Sequence, residues 1–305
     1  MNVEKAKQFI YYNARPLDLA RWKYHFENGS KQEVVNCLMT YQNTDGGFGH
    51  ALEADCFNPN SSPIQTWVAT EILREIEFEE NNHDVIQNML RYLASGKDFS
   101  DTHNQWLNVV PTNNDHPHAV WWHHKEQGDE LLYNPTACLV GFIIKYADKD
   151  SELYIKACSI AKEAYKFFED NFPLVDTHIV GCFIRLYEYL TEAGKTDLLD
   201  MANFRNKLTD QISHSICTDI GKWENEYVTL PSALIRSKNG IGYNENTESI
   251  QAECDFITKS QLQDGSFPVM WQWYNDYKEF EIARNWWKSD FIIRNRLFEN
   301  AFAGT

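Results

Sequence analysis

The stretch Gln42-Asn43-Thr44-Asp45-Gly46-Gly47-Phe48 returns near the other end of the chain as Gln261-Leu262-Gln263-Asp264-Gly265-Ser266-Phe267. Both copies have the pattern Q-x-x-D-G-[GS]-F, and a degenerate third copy lies at 219–223. Glycine permits the positive φ of a tight turn, and an aspartate carboxylate accepts backbone N–H groups. We therefore predict a braced turn at each copy, in which glutamine ties the turn to the preceding helix end. The glutamine and the aspartate of each turn are predicted to be structural rather than catalytic.

Apolar residues recur at helical spacing along most of the chain, and no run of alternating β-branched residues competes with this pattern. Ser62 followed by Pro63 marks a helix start, and so does Asp176. The sequence therefore predicts an all-α fold. The predicted helices cover about 3–26, 30–41, 62–78, 83–95, 135–147, 151–170, 177–192, 197–217, 229–236, 248–261 and 284–301.

The predicted helices alternate between charged amphipathic members and more apolar members, which is typical of an outer and an inner layer. No Pro/Gly/Ser-rich linker or shift in composition divides the chain. We therefore predict one domain over residues 1–305. The loops at 43–61, 99–134 and 219–246 are long, and loops of that length often carry function.

The Q-x-x-D-G-[GS]-F turns resemble the glutamine–tryptophan repeats of squalene–hopene cyclases and the related repeats of protein prenyltransferase β subunits. The resemblance implies an α/α toroid, an (α/α)6 barrel of about six helical hairpins whose inner helices surround an aromatic-lined cavity. The D-x-D-D and D-D-x-x-D motifs of terpene cyclases and synthases are absent from the sequence. Asp55 and Cys56 are adjacent, which is not the spacing of the prenyltransferase zinc ligands. The resemblance therefore implies the scaffold, and not a reaction.

The charge balance excludes several classes of partner. Lys and Arg number 28 against 44 Asp and Glu, which gives a formal net charge of −16. Such a chain is repelled by nucleic acid and by anionic membranes. The apolar stretch at 131–144 is too short to span a membrane. Seven scattered cysteines without C-x-x-C and an N-terminus without a secretory pattern favour a cytoplasmic protein with reduced thiols.

Two polar loops precede predicted inner helices. In the first, Glu53 and Asp55 lie two residues apart, so that one could hold a proton while the other stays ionised. The second, at 113–124, holds four of the ten histidines beside Trp121 and Trp122. Its His116 and His118 fit acid–base chemistry or ligand hydrogen bonding, and metal binding is a weaker alternative because no helical ligand spacing is present. For both loops, capping and backbone bonding are the structural alternatives.

These observations lead to one main functional prediction and two alternatives. The main prediction is a hydrophobic or isoprenoid-like small molecule bound in a central aromatic cavity, with acid-catalysed cyclisation or isomerisation if the protein is an enzyme. The alternatives are a carbohydrate-active (α/α)6 enzyme with paired carboxylates and a non-enzymatic toroid that binds a peptide or a partner. No cofactor and no metal are predicted.

The predicted site residues fall into two groups. The predicted catalytic residues are Asp55, Glu53 and His118, with Asp55 as the acid, Glu53 as its electrostatic partner and His118 as the proton acceptor. The predicted substrate-binding residues are His50, Trp67, His116, Trp121, Trp122, Asn134, Trp271 and Trp273. The tryptophans are expected to stabilise a cation or to stack on a sugar ring.

Overall fold

The computed structural model describes residues 1–125 and 131–302. Apart from two short strands, the regular secondary structure of these residues is helical. The prediction of an all-α fold is confirmed. The described residues form helices α1 (Val3–Asn13), α2 (Pro16–Phe26), α3 (Lys31–Met39), α4 (Pro63–Glu75), α5 (Asp84–Ala94), α6 (Thr136–Tyr146), α7 (Glu152–Asp170), α8 (Thr177–Glu192), α9 (Met201–Ser215), α10 (Pro231–Leu234), α11 (Thr247–Ser260) and α12 (Phe280–Phe302). Two short strands, β1 (Phe99–Ser100) and β2 (Gln105–Trp106), pair antiparallel in the loop between α5 and α6.

The predicted helix at 3–26 is wrong as a single element. It is two helices, because α1 ends at Asn13 and α2 begins at Pro16. Proline has no N–H for the helical ladder, and it forces the residue before it into an extended conformation. Arg15 accordingly has φ −61° and ψ 154°. The last helix also begins earlier than predicted, at Phe280.

The chain divides into two compact units, and each is described separately. Unit 1 comprises Met1–Leu38 and Ile212–Thr305, and unit 2 comprises Met39–Gln211. A single domain over the whole chain stays a prediction. Among the described residues, no helix is both long enough and apolar enough to cross a membrane. All seven cysteines lie in the described residues, and none forms a disulfide.

In unit 2, the apolar helix α6 packs against α7 and α8 and also contacts α4 and α5. Every residue of α6 from Thr136 to Ile144 is buried, as expected for a helix that is apolar on all sides. Phe168 of α7 lies 5.0 Å from Phe183 of α8, measured between ring centroids. The core of unit 2 therefore forms around α6.

In unit 1, α12 packs against α1, α2 and α11. The buried Asp18 of α2 accepts hydrogen bonds from Arg15 and Arg21, at 2.7 and 3.0 Å. Arg21 also bonds Asp290 of α12 at 2.9 Å, and the Arg15 guanidinium lies 5.1 Å from the ring centroid of Trp286. Two cations and two carboxylates thus satisfy one another where α2 meets α12, as buried charges require.

The first Q-x-x-D-G-[GS]-F copy forms the predicted turn in unit 2. Gln42 Nε2 donates to the carbonyl oxygen of Gly46 at 3.0 Å and to that of Val85 in α5 at 3.2 Å. Asp45 Oδ1 accepts the Gly47 N–H at 3.0 Å, Gly46 has φ +98°, and Phe48 is fully buried. Gln42 and Asp45 therefore brace the turn.

The second copy has the same geometry in unit 1. Gln261 Nε2 donates to the carbonyl oxygen of Gly265 at 2.9 Å and to that of Asn2, beside α1, at 3.1 Å. Asp264 Oδ1 accepts the Ser266 N–H at 2.9 Å, and Gly265 has φ +91°. The predicted structural roles of these glutamine and aspartate residues are confirmed by their contacts.

Substitution of Gly46 by alanine is expected to destabilise unit 2 strongly. A Cβ at Gly46 would lie 2.0 Å from the Asn88 carbonyl oxygen, and φ is already positive. We expect Gly46→Ala to lower the free energy of unfolding by at least about 3 kcal/mol, as measured by urea denaturation. Gly96→Ala is the matched control, because Gly96 has φ +71° but no heavy atom within 4 Å of its added Cβ. We expect Gly96→Ala to lower the free energy of unfolding by about 1 kcal/mol. Equal losses of stability in the two variants would contradict a destabilising contact between the added Cβ and Asn88.

Besides Asp18, unit 1 holds another deeply buried carboxylate, that of Glu253. Glu253 of α11 is 1% exposed and accepts the Ser232 N–H of α10 at 2.8 Å, together with a short bond from the Ser232 hydroxyl. Burial raises the pKa of Glu253 to about 7, against the lowering effects of Ser232 and Arg294. Glu253 thus caps the short helix α10 and holds its proton more tightly than an exposed glutamate.

We expect Glu253 to make the protein less stable as the pH rises. Its contribution is fully present below pH 4.5 and is lost as the pH rises through about 7, since the folded state binds the proton more strongly than the unfolded chain. The shift corresponds to about 3 kcal/mol. In urea denaturation at pH 5 and pH 8, Glu253→Gln is expected to lose this part of the pH dependence, whereas the exposed Glu248→Gln on the same helix is expected to keep it. An unchanged pH dependence in Glu253→Gln would contradict the assignment.

Candidate functional site

The two polar loops of unit 2 meet as a short antiparallel pair, which we call the two-loop site (residues 49–62 and 111–125). The Phe57 N–H donates to the Pro117 carbonyl at 2.8 Å, and the Ala119 N–H donates to that of Asp55 at 2.9 Å. Cys56 and His118 face each other between these bonds. Facing residues of such a pair share one side of the ladder, while successive residues alternate. His118 and Cys56 therefore occupy facing positions of this pair.

The carboxylates of the first loop are buried in it. Glu53 is 7% exposed and Asp55 is 2% exposed. Glu53 Oε2 accepts the Asp55 N–H at 2.8 Å, which is a local brace of the kind that acidic side chains form in turns. Gln65 of α4 closes the same loop, because its side chain bonds the Leu52 N–H and the Asn58 carbonyl at 2.9 and 3.0 Å. The predicted electrostatic partnership of Glu53 and Asp55 stays a prediction.

The histidines of the second loop contact one another. His118 is 3% exposed, and its Nδ1 lies 2.6 Å from the His116 carbonyl oxygen. Its Nε2 lies 3.1 Å from His123 Nδ1, with the two rings stacked at 5.3 Å. Both ring nitrogens of His118 are therefore occupied within the loop. His50 is exposed and its Nε2 lies 2.9 Å from Asn43 Oδ1.

The predicted tryptophans fall into both units. Trp121 is 39% exposed and Trp122 is partly buried, both in the two-loop site. Trp271 and Trp273 belong to unit 1, where Trp271 contacts Trp287 at 5.3 Å between ring centroids and Trp273 is 1% exposed. Trp271 and Trp273 therefore belong to a different unit from Trp121 and Trp122.

A second group of polar residues lies on facing sides of α4, α6 and α8, and we call it the helix-face cluster (Trp67, Thr70, Glu71, Asn134, Cys138, Cys182 and Arg185). Arg185 Nε lies 2.8 and 2.9 Å from the two carboxylate oxygens of Glu71. Cys138 Sγ lies 3.8 Å from Glu71 Oε1 and 3.9 Å from the Thr70 hydroxyl. Cys182 Sγ lies 3.6 Å from Asn134 Oδ1, so the contacts join all three helices.

Trp67 lies one helical turn before Glu71 on the same face of α4. Its indole Nε1 is buried and has no hydrogen-bond partner among the described residues. The Nε1 of Trp122 in the two-loop site is in the same state. Buried donors normally have an acceptor, so each such group calls for an explanation.

Further charges continue from the helix-face cluster along α4 and α8. Arg185 also bonds Glu188 at 2.5 Å, and Arg74 lies 3.1 Å from the same carboxylate. Arg74 and Lys145 both bond Glu192, each with one contact at 2.9 Å. The side chains of α4, α6 and α8 thus form a continuous ion-pair network.

The network sets the electrostatics of the cluster. Burial acts to lower the pKa of Arg185, but Glu71 and Glu188 outweigh it and raise that pKa above its usual range. Burial, followed by the charge of Glu71, raises the pKa values of the Cys138 and Cys182 thiols. Both cysteines therefore stay protonated and are poor nucleophiles. Burial likewise raises the pKa of the Cys56 thiol to about 12.

The sequence analysis missed Glu71 and Arg185, although each carried a signal. Both lie in helices whose buried residues are mostly apolar. A charged side chain among such residues is rarely buried without a partner, which indicates a pair on a neighbouring helix. Asn134 and Trp67 were predicted as site residues; Asn134 contacts Cys182, and Trp67 lies one turn before Glu71 in α4.

Among residues 1–125 and 131–302, no three or more His, Cys, Asp or Glu side chains are grouped so that they could hold a metal ion. Comparison of the chain with known protein families, curated proteins and solved structures finds no significant match in any of the three. The evidence for function therefore comes from the contacts of the chain itself.

Removal of Glu71 is expected to destabilise unit 2, because Arg185 keeps its charge and loses its partner on α4. We expect Glu71→Ala to lower the free energy of unfolding by about 2–3 kcal/mol, as measured by urea denaturation. The double variant Glu71→Leu/Arg185→Met is expected to cost less than the single change. Asp197→Ala, at a carboxylate that is 80% exposed, is the control and should be nearly neutral. A Glu71→Ala variant as stable as this control would contradict the importance of the pair.

Proposed function

We propose that unit 2 binds a small hydroxylated molecule, such as a short saccharide, at the helix-face cluster. The observation that carries the proposal is the buried Nε1 of Trp67, which has no acceptor among the described residues. An indole N–H at a binding site donates to a ligand oxygen while the ring provides apolar contact area. Asn134 and Thr70 place further hydrogen-bonding groups in the same cluster.

The polarity of the cluster supports a hydroxylated ligand over an isoprenoid. An isoprenoid gains affinity from the burial of apolar surface, and it leaves polar groups at its site without partners. The faces of α4, α6 and α8 at the helix-face cluster carry a carboxylate, a guanidinium and two thiols. The isoprenoid ligand that the sequence predicts stays a prediction, and the experiment below tests it with farnesol.

The contacts support binding more than acid catalysis. Glu71 is held by Arg185 through both oxygens, and an ion-paired carboxylate is a poor proton donor. In the two-loop site, Glu53 accepts a backbone N–H and His118 bonds within its own loop. The proposed role of His118 as proton acceptor would require its contacts within the loop to rearrange.

We also propose the α/α toroid as the scaffold for this site. Its support is the repeated turn, whose two copies share their glutamine, aspartate and glycine contacts. The alternation of amphipathic helices such as α7 with the apolar α6 agrees with an outer and an inner layer.

Replacement of Trp67 by phenylalanine is expected to weaken ligand binding without destabilising the free protein. The probes are maltotriose, cellotriose and chitotriose, with farnesol as the isoprenoid, each titrated by isothermal calorimetry. We expect at least one trisaccharide to bind, and Trp67→Phe to weaken it by about threefold to tenfold, which corresponds to one lost hydrogen bond.

Trp106→Phe is the matched control, because Trp106 Nε1 is also buried without a partner among the described residues. Trp106 is 1% exposed and packs on Phe99 at 4.9 Å, so this change should leave saccharide affinity intact. Binding of farnesol alone would overturn the proposal in favour of the isoprenoid. Equal saccharide affinities for wild type and Trp67→Phe would overturn the role of the indole.

A further inference from the structure

A small cavity of about 220 Å³ lies in unit 1, in the segment between the second braced turn and α12. Four of its lining residues are aromatic, namely Trp273, Tyr274, Tyr277 and Phe280. The remaining lining residues are two amides and the carboxylate of Asp276. A cavity with this lining is aromatic and acidic at once.

The rings stand at steep angles to one another, as the walls of a cage do. Trp273 and Tyr277 have ring centroids 6.5 Å apart and an interplanar angle of 80°. Trp273 and Phe280 have centroids 6.0 Å apart at 52°. Trp273 is 1% exposed, whereas Tyr277 is 38% and Tyr274 is 66% exposed. Trp273 therefore forms the buried wall of the cavity, and the two tyrosines form its open side.

The backbone holds one of these rings at a conformational cost. Tyr274 has φ +56°, which is a left-handed conformation that a bulky side chain rarely adopts and that costs roughly 1–3 kcal/mol. Asn275 Oδ1 accepts the Tyr277 N–H at 3.3 Å and stabilises the turn that follows. The segment thus keeps an exposed aromatic ring in place at the expense of local strain.

The charges around the cavity favour a cation. Asp276 has no ion-pair partner among the described residues, and the chain as a whole carries a net charge of −16. Arg284 lies 5.9 Å from the Phe280 ring centroid while its charge is paired with Glu281. Lys278 and Glu279 follow in the sequence with opposite charges and are not lining residues. Asp276 is the charged residue that lines the cavity.

We propose that this cavity binds a quaternary ammonium group. The faces of aromatic rings attract an organic cation through their quadrupole, and rings arranged around a methylated ammonium are the usual way in which proteins recognise it. A trimethylammonium group has no hydrogen-bond donor, so the rings satisfy it without further polar partners. Its source is either a free small molecule of the choline type or a trimethylated lysine in a peptide, since both carry the same group.

The test compares a cation with a neutral molecule of the same shape. Tetramethylammonium, choline and 3,3-dimethylbutan-1-ol, the uncharged analogue of choline, are titrated into the full chain and followed by calorimetry and by tryptophan fluorescence. We expect both cations to bind, and choline to bind at least about fivefold more tightly than its neutral analogue, as one cation–π contact provides. Equal affinity for choline and the analogue, or no binding of either cation, would overturn the proposal.

Variants locate the binding to the cavity. Tyr274→Ala and Asp276→Asn are each expected to weaken choline binding by about threefold or more. Tyr12→Ala is the control, because Tyr12 is 78% exposed on α1 and does not line the cavity. Circular dichroism checks that the variants fold. Unchanged choline affinity in both cavity variants would overturn the location.

A peptide containing trimethyllysine, compared with the same unmethylated peptide, separates the two sources of the group. Tighter binding of the methylated peptide than of choline assigns the cavity to a modified protein partner. Tighter binding of choline assigns it to a small molecule. Because the cavity lies in unit 1, failure of this test leaves the saccharide proposal for unit 2 unaffected.

Discussion

In each unit, the side-chain amide of one glutamine ties the braced turn to a distant segment of the chain. Gln42 and Gln261 each donate to the carbonyl of a glycine four residues later and to the backbone of a distant segment. Each glycine packs so closely on that neighbour that a Cβ would meet its backbone at 2.4 Å or less. The hydrogen bonds of the glutamine and the close packing at the glycine therefore act together to fix the turn against the neighbouring segment. Because this constraint is satisfied, each turn is fixed against the segment that it contacts, α5 for the first copy and the start of α1 for the second.

Features that depend on neighbouring residues in the sequence could be predicted from it. The helices follow from apolar periodicity, and their starts follow from caps such as Ser62 and Asp176, both of which accept backbone N–H groups as predicted. The break at Pro16 was also visible locally, but the apolar pattern continues on both sides of it and hid the boundary. The braced turns were predictable because glycine and aspartate act within four residues of each other.

The candidate sites could not be predicted to the same extent, because their residues meet only through tertiary packing. Glu71 and Arg185 are 114 positions apart, and neither local pattern names the other as its partner. Tryptophan by itself was also a weak guide to a site, since Trp22 and Trp106 are among the largest fully buried side chains. These two rings belong to the cores of unit 1 and unit 2, respectively.

The surplus of carboxylates has different consequences in the two sites. At the helix-face cluster, Arg185 neutralises Glu71, so the net charge of this pair is small, which fits the neutral ligand proposed for it. At the unit 1 cavity, Asp276 has no such counter-ion among the described residues and stands beside aromatic faces. The proposed hydroxylated ligand is neutral and would gain little from the charge at the second site. The proposed quaternary ammonium ion would gain there from both the carboxylate and the rings. In these two proposals, the pairing of the carboxylates, rather than their number, separates the two ligand classes.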